Sequence, residues 1–392
     1  MDFELSQDQR MLVDLCEKIA QQFEDSYWQK IDEEYGFPQE FWGTLVEQGI
    51  LGITVPEEYG GSGLGMVEMC LAAEALSSNG GDCGGMFVGG PVFGGCLING
   101  AGTPEQKAKY LPGIVQGELW AGGFTEPNSG SNITTIRTEA RKEGEHYLVK
   151  GQKMYISNIK VASHIGIMCR TSPYDPARRT EGVSLLVGDL PGDGLEARPL
   201  KKMGSHFMDT NAVFFDDFKV PQENLVGAEG KGWKALYGVL NPERLAIAAS
   251  CIGTGNYLIR KAVQYASERS IWGKPLATHQ GLQFPLAEAR IQLECARLKV
   301  YEAAWLYDQG RECGVQATTA KYAAAHASLY AADRAIQTLG GAGYMSDFGV
   351  ERIYRAVRAS KIYEGTNDIQ RLVISRAIVG DAEQESRAAQ CF

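Results

Sequence analysis

Three short segments combine residue types whose spacing could do chemistry. Residues 123–132, Gly-Phe-Thr-Glu-Pro-Asn-Ser-Gly-Ser-Asn, and residues 151–158, Gly-Gln-Lys-Met-Tyr-Ile-Ser-Asn, mix turn formers with hydroxyls and aromatics. A chain turning through Pro, Gly and Ser exposes backbone N–H groups and hydroxyls. An aromatic followed two residues on by a hydroxyl, as Tyr155 is by Ser157, could flank a planar, heteroatom-rich ring. Taken alone, each segment reads more simply as a hairpin turn beside a core aromatic. The third segment, residues 362–370, Ile-Tyr-Glu-Gly-Thr-Asn-Asp-Ile-Gln, sets Glu364 in an apolar and aromatic approach, just before a glycine and a helix start. Desolvation of such a carboxylate makes it a stronger base. The plainer alternative is a helix N-cap at Thr366 or Asn367 with a solvated Glu ahead of it.

Other chemistries find little footing. The five histidines, at 146, 164, 206, 279 and 326, are scattered without H-E-x-x-H or paired Cys/His spacing, so no metal site is expected. The glycine clusters at 60–63 and 340–343 match neither G-x-G-x-x-G nor the P-loop, and there is no G-x-S-x-G elbow. With 38 Lys and Arg against 48 Asp and Glu, the net charge is −10, the wrong sign for holding a polyphosphate by bulk charge; nucleic acid is not an expected partner. Nine cysteines, at 16, 70, 83, 96, 169, 251, 295, 313 and 391, form no C-x-x-C and read as reduced and mostly buried. The opening MDFELSQDQR has no basic or apolar leader pattern, and no apolar stretch is long enough to insert in a membrane. A soluble, cytoplasmic protein is expected, or one of the mitochondrial matrix if the chain is a processed form.

The elements that must position these segments follow from patterning. At 392 residues, with 44% hydrophobic and 22% charged residues, the chain suits two or three domains with large cores. Residues 1–118 carry helical punctuation. Ser6 with Gln9 forms a capping box before Leu12, Leu15, Cys16, Ile19, Ala20 and Phe23, and Thr103-Pro104-Glu105-Gln106 repeats the logic before Tyr110 and Leu111. Residues 119–229 change to short β-branched and aromatic runs such as 146–149 and 213–215, broken by turns at 142–145 and 190–194. Residues 230–392 return to long helical patterns over 245–267, 286–307 and 317–339. This order lacks a βαβ rhythm and argues against a doubly wound nucleotide fold.

Together the three segments resemble the acyl-CoA dehydrogenases. F-T-E-P-N-S-G-S at 124–131 is similar to that family's first flavin loop, G-Q-K-M-Y-I-S-N to its second, and K-I-Y-E-G-T-N-D-I-Q at 361–370 to its base-bearing segment. Residues 269–275 with His279 and Gln280, and 337–341, resemble its two remaining flavin-contact stretches, so that five motifs span about residues 5 to 380. The resemblance implies an α+β multidomain fold: an N-terminal helical domain, a middle β-barrel-like domain and a C-terminal four-helix bundle, with FAD among them, in a homotetramer. It implies oxidation of an acyl-CoA to the trans-2-enoyl-CoA, Glu364 removing the α-proton and the β-hydride passing to flavin, with electrons going on to an electron-transfer flavoprotein. Phe124, Thr125, Tyr155, Ile156 and Ser157 are then expected at the flavin, with Thr366 and Asp368 following the base. Ser131 is expected at both FAD and the pantetheine arm. Arg269, Gln280, Gln337, Gly340 and Gly341 match the cofactor contacts, and all but Gln280 match stretches that reach a neighbouring subunit's FAD. Asn241, Arg244, Tyr363 and Gly365 match substrate contacts.

Several positions depart from the family's pattern. Tyr155 stands where many members have Trp, Ser157 where many have Thr, Ile271 for a common Thr and Asn241 for a common Asp. Some relatives carry their base on the helix that holds Glu243; here Glu364 is taken as the base and Glu243 as a structural or solvated residue. The glycine-rich residues 80–95 fall where relatives have a helix lining the acyl pocket, and could either leave room for a branched or long chain or permit close packing. An oxidase using oxygen, or a flavin-binding, nucleic-acid-associated relative without dehydrogenase turnover, are the alternative readings.

Overall fold

A computed structural model describes residues 4–81 and 84–389; Asp82 and Cys83 of the glycine-rich stretch, and Cys391, lie outside the described residues. The order is helix, sheet, helix. It begins with α1 (Gln7–Gln22), α2 (Asp25–Glu34), α3 (Gln39–Glu47), α4 (Met66–Leu76), α5 (Gly84–Phe87), a π-helical stretch (Val88–Cys96), α6 (Leu97–Ala101) and α7 (Pro104–Val115). Eight strands follow: β1 (Leu119–Gly123), β2 (Glu139–Glu143), β3 (His146–Ser157), β4 (Ala162–Arg170), β5 (Val183–Asp189), β6 (Leu195–Pro199), β7 (Thr210–Pro221) and β8 (Leu225–Val226). The last part holds α8 (Gly232–Glu268), a small hairpin of β9 (Ser270–Ile271) and β10 (Lys274–Pro275), α9 (Gln280–Asp308), α10 (Gly314–Leu339), α11 (Gly341–Tyr344), α12 (Val350–Arg358) and α13 (Asn367–Ala389).

Both sequence-read capping boxes form. The Ser6 hydroxyl accepts from the N–H of Gln9 while the Gln9 side chain accepts from the N–H of Ser6, and Thr103 and Gln106 do the same at α7, where Pro104 opens the helix. The C-terminal helices start earlier than the apolar periodicity suggested, because α8 continues through Pro242 and α9 through Pro285. Pro285 lies in the second turn of α9 and Pro242 about three turns into α8, and in each case the long run of helix around it offsets the lost hydrogen bond.

The chain folds as two compact units. One comprises Ser26–Met69 and Gly85–Glu243. Its sheet has the order β6-β7-β3-β2-β4-β5-β8, and β1 pairs with β4 in parallel. Strands β4 and β5 are buried on both faces over most of their length, so they read as apolar runs without alternation. Phe93, Tyr110, Trp120, Met168, Leu185 and Val187 share one core. The glycines of the π-helical stretch serve that core by close approach: a β-carbon on Gly94 would stand 2.8 Å from Cγ of Trp120, and one on Gly89 would collide with the Asn158 amide. Of the two uses read for this stretch, close packing is the one the fold makes of Gly89 and Gly94.

The other unit comprises Met1–Asp25, Cys70–Gly84 and Arg244–Phe392. Its helix α10 is buried along a run of small residues, Ala317, Ala320, Ala324, Ala327, Ala331 and Ala335, which lets neighbouring helices approach closely. The pattern continues where Leu293 of α9 lies over Gly255 of α8. A second core gathers Tyr257, Leu258, Leu286, Leu339, Ile353 and Val357. Among the described residues all seven cysteines are free, five of them buried and Cys295 exposed. No described helix is long and apolar enough to cross a membrane.

Candidate active site

In the sheet-bearing unit, the two hydroxyl-rich segments are bound to each other through the main chain and one buried ion pair. The first leaves β1 and turns tightly, with Glu126 and Ser129 exchanging backbone hydrogen bonds at 2.9 and 3.1 Å. The N–H of Met154 donates to the Thr125 carbonyl at 2.8 Å, joining the turn to β3. Lys153, fully buried, donates through Nζ to the Phe124 carbonyl at 3.1 Å and to Oε1 of Glu126 at 2.9 Å. The Glu126 carboxylate also accepts from the N–H groups of Thr138 and Arg137, at 2.9 and 2.6 Å. Burial raises this carboxyl, but Lys153 and the two N–H groups more than offset it and hold it below the usual carboxylate range.

The pairing of β3 with β7 slips between Lys153 and Ile156, and Tyr155 sits in this bulge with φ of 62°. A bulge re-aims a side chain out of the pleat. The Tyr155 ring is accordingly 66% exposed while its neighbours Lys153 and Ile156 are buried, so the aromatic is not a core residue. The hydroxyls of the half-buried Thr125 and Ser157 have no hydrogen-bond partner among the described residues. Phe124 packs edge-on against Phe93, with ring centroids 5.3 Å apart, and Ser131 is exposed. Two unpartnered hydroxyls beside an outward aromatic, on loops locked together from behind, suit the polar edge and flat face of a flavin ring.

In the helical unit, the third segment forms a turn between α12 and α13. Thr366 is the N-cap of α13, its Oγ1 accepting from the N–H of Ile369 at 3.2 Å, as the capping alternative expects. Ahead of it, Glu364 and Gly365 both take left-handed backbone, with φ of 51° and 79°. That conformation strains a residue with a β-carbon and suits glycine, and such strain concentrates where geometry serves function. Glu364 is half-buried. Its carbonyl accepts from Nε2 of Gln370 at 3.1 Å, and the Gly365 carbonyl accepts from the same amide at 2.9 Å and from Nζ of Lys321 at 2.9 Å. Asp368 is exposed and paired with Arg371 at 2.9 Å.

The remaining candidates fall on α8 and on the surface of the helical unit. Asn241 and Arg244 lie one turn apart on α8, and Arg244 donates to Oγ1 of Thr318 on α10 at 3.3 Å. Arg269, Gln280, Gln337, Gly340 and Gly341 are all exposed, near the β9–β10 hairpin whose Trp272 is 85% exposed, or at the end of α10. Glu243 is 2% exposed, which removes the solvated reading. Sequence reasoning passed over Glu126, Lys153, Lys321 and Gln370. The available signal was a lysine on an otherwise inward-facing strand position and another within an alanine-rich helical face.

Comparison with known proteins agrees with this architecture. Three family models match in order: the N-terminal domain of acyl-CoA dehydrogenase over residues 6–118, its middle domain over 121–218 and its C-terminal domain over 230–379. The chain therefore belongs to the acyl-CoA dehydrogenase family, a family of oxidoreductases. It is 37% identical over 353 residues to an acyl-CoA dehydrogenase of Bacillus subtilis, covering 90% of this chain and 92% of that one. Among solved structures it is similar to butyryl-CoA dehydrogenase from Megasphaera elsdenii, with a TM-score of 0.91, 31% identity and coverage of 97% and 100%. It is also similar to a chain solved in work on the electron transferring flavoprotein of Acidaminococcus fermentans, with a TM-score of 0.92, 34% identity and coverage of 96% and 99%.

Proposed function

We propose that this protein is an FAD-dependent dehydrogenase that oxidises an acyl-CoA thioester to the trans-2-enoyl-CoA, with Glu364 as the base that removes the α-proton. The observation that carries this reading is the Glu364–Gly365 turn. A half-buried carboxylate stands there on strained backbone whose two carbonyls are both held by buried side chains. The N–H of Glu364 has no partner among the described residues and is a donor available to a thioester oxygen, where negative charge develops as the α-proton leaves. Entry of an acyl chain would desolvate the carboxylate and strengthen it as a base at the moment it is needed.

FAD, when bound, supplies the two-electron acceptor for the β-hydrogen leaving as hydride. Thr125 and Ser157 would hydrogen-bond it, Tyr155 would flank it with Phe124 and Ile156 beside, and Thr366 and Asp368 would reach it from the start of α13. Ser131, Asn241, Arg244, Tyr363 and Gly365 would hold the acyl-CoA. Arg269, Gln280, Gln337, Gly340 and Gly341 would serve the cofactor, and all but Gln280 would reach that of a neighbouring subunit in a homotetramer. Support for an assembly comes from α9, where Phe284, Ile291, Leu298 and Trp305 recur every seventh residue and are each at least half exposed. Electrons would pass to an electron-transfer flavoprotein, a partner suggested by the Acidaminococcus fermentans relative. The domain division is proposed as 1–118, 119–229 and 230–392, and the location as the cytoplasm.

The test is anaerobic titration of the flavin spectrum with straight-chain, branched and terpenoid acyl-CoAs, beside Glu364→Gln. Bleaching by one acyl class is expected, slowed about 100- to 10,000-fold in the Gln variant. Bleaching retained in Glu364→Gln would move the base to Glu243, and fast reoxidation in air with peroxide formed would make the protein an oxidase. Flavin that no acyl-CoA bleaches would refute the dehydrogenase reading.

A further inference from the structure

Lys321 sits on the buried face of α10, fully enclosed, where the neighbouring positions are Ala317, Ala320, Ala324 and Ala325. A lysine is among the costliest residues to bury, and it normally takes a carboxylate with it. Here its ammonium hydrogen-bonds neutral oxygens, the Gly365 carbonyl at 2.9 Å and Oδ1 of Asn367 at 3.3 Å. Gln370, also fully buried, sends one amide nitrogen to the carbonyls of Glu364 and Gly365. In a trans peptide the C=O and N–H point in opposite directions. Pinning these two carbonyls toward the interior therefore turns the N–H groups of Gly365 and Thr366 outward, directly after the left-handed Glu364.

We propose that Lys321 and Gln370 form a buried clamp on the Glu364–Gly365 turn and are positioning residues for the Glu364 carboxylate. The inference rests on the assignment of Glu364 as the base. The clamp reaches across 44 residues of sequence from Lys321 to Gly365, so the turn is set by α10 as well as by its own residues. The charged and titratable groups facing Lys321 are Glu364 from the turn and Cys251 and Arg244 from α8. Burial, with Arg244 adding to it and Cys251 and Glu364 opposing, pushes the Lys321 ammonium down to about 8, so the clamp can lose its charge within a measurable pH range.

The test uses the FAD-loaded full chain as parent, Lys321→Met, Gln370→Met and Glu364→Gln. Hydrogen–deuterium exchange of peptides spanning residues 362–370 reads the turn directly, without turnover. Flavin bleaching by butyryl-CoA, or by whichever acyl-CoA the parent accepts, is followed from pH 6 to 10 and separated into limiting rate and half-saturating concentration. In Lys321→Met and Gln370→Met, faster exchange at Ile369 and Gln370, residues whose N–H groups bond Thr366, is expected. So is a limiting rate lower by about 10- to 100-fold, with half-saturation changed far less. The parent's rate is expected to change between pH 7 and 9, and Lys321→Met to lose that change. Unchanged exchange and an unchanged pH profile in Lys321→Met would overturn the clamp. If Glu364→Gln bleaches like the parent, the base assignment fails instead, a result distinct from a dead Glu364→Gln beside a fully active Lys321→Met.

Discussion

Among the described residues two lysines are fully buried, one in each compact unit, and they are held in opposite ways. Lys153 in β3 meets the Glu126 carboxylate at 2.9 Å, and that carboxylate is further satisfied by two backbone N–H groups. Among the described residues, the hydrogen-bond acceptors of Lys321 in α10 are a carbonyl and an amide oxygen. The first is a closed ion pair that locks two loops together. The second is a cation without a bonded counter-charge, kept charged at neutral pH against its burial. A buried charge with a partner secures geometry through the pair, whereas one without bonded anions stays close to its titration point and can respond to what binds nearby.

The comparison can be broken by removing each ammonium in turn. Lys153→Met leaves the Glu126 carboxylate buried without its cation and should cost roughly 3–5 kcal/mol, read as a fall in urea midpoint together with loss of bound FAD. If Lys153→Met is as stable as the parent, the ion pair is not the lock that the geometry indicates.

A pH series sharpens the other half. The folded-state pKa of Lys321 lies near 8, below its ordinary value, so the cost of charging it is full below pH 8 and disappears as pH rises past the unfolded value of about 10.4. Stability of the parent relative to Lys321→Met should thus rise across that window by up to about 3 kcal/mol. At pH 7 Lys321→Met should be within about 1 kcal/mol of the parent or more stable, even as its turn loosens. A large loss of stability at pH 7 would mean that Lys321 is structural in the same sense as Lys153. The smallest effect is expected from the double substitution Glu126→Leu with Lys153→Met. Replacing both charges should recover most of the stability lost in the single variant, and a double-mutant cycle measures the coupling.

Much of the fold was legible because its signals are local. The two capping boxes, the turn glycines and the switch from helical to strand periodicity each lie within a few residues, and all appear where the sequence placed them. The helix starts of α8 and α9 were less legible, since Pro242 and Pro285 stand inside helices that tertiary packing sustains. The site was legible as residue types. Tyr155, Ser157 and Glu364 were singled out, but the bulge that exposes Tyr155 and the left-handed backbone under Glu364 were not.

By itself the sequence determined the helix, sheet, helix order, the family and the segments that carry the chemistry, because caps, periodicity and motif identity depend on near neighbours along the chain. Only the tertiary structure decided that Lys153 meets Glu126 across 27 residues and that Lys321 meets Gly365 across 44. The first meeting depends on strand register, since pairing shifted by one residue would present Lys153 to the other face of the sheet, and the second depends on how α10 packs against the turn before α13.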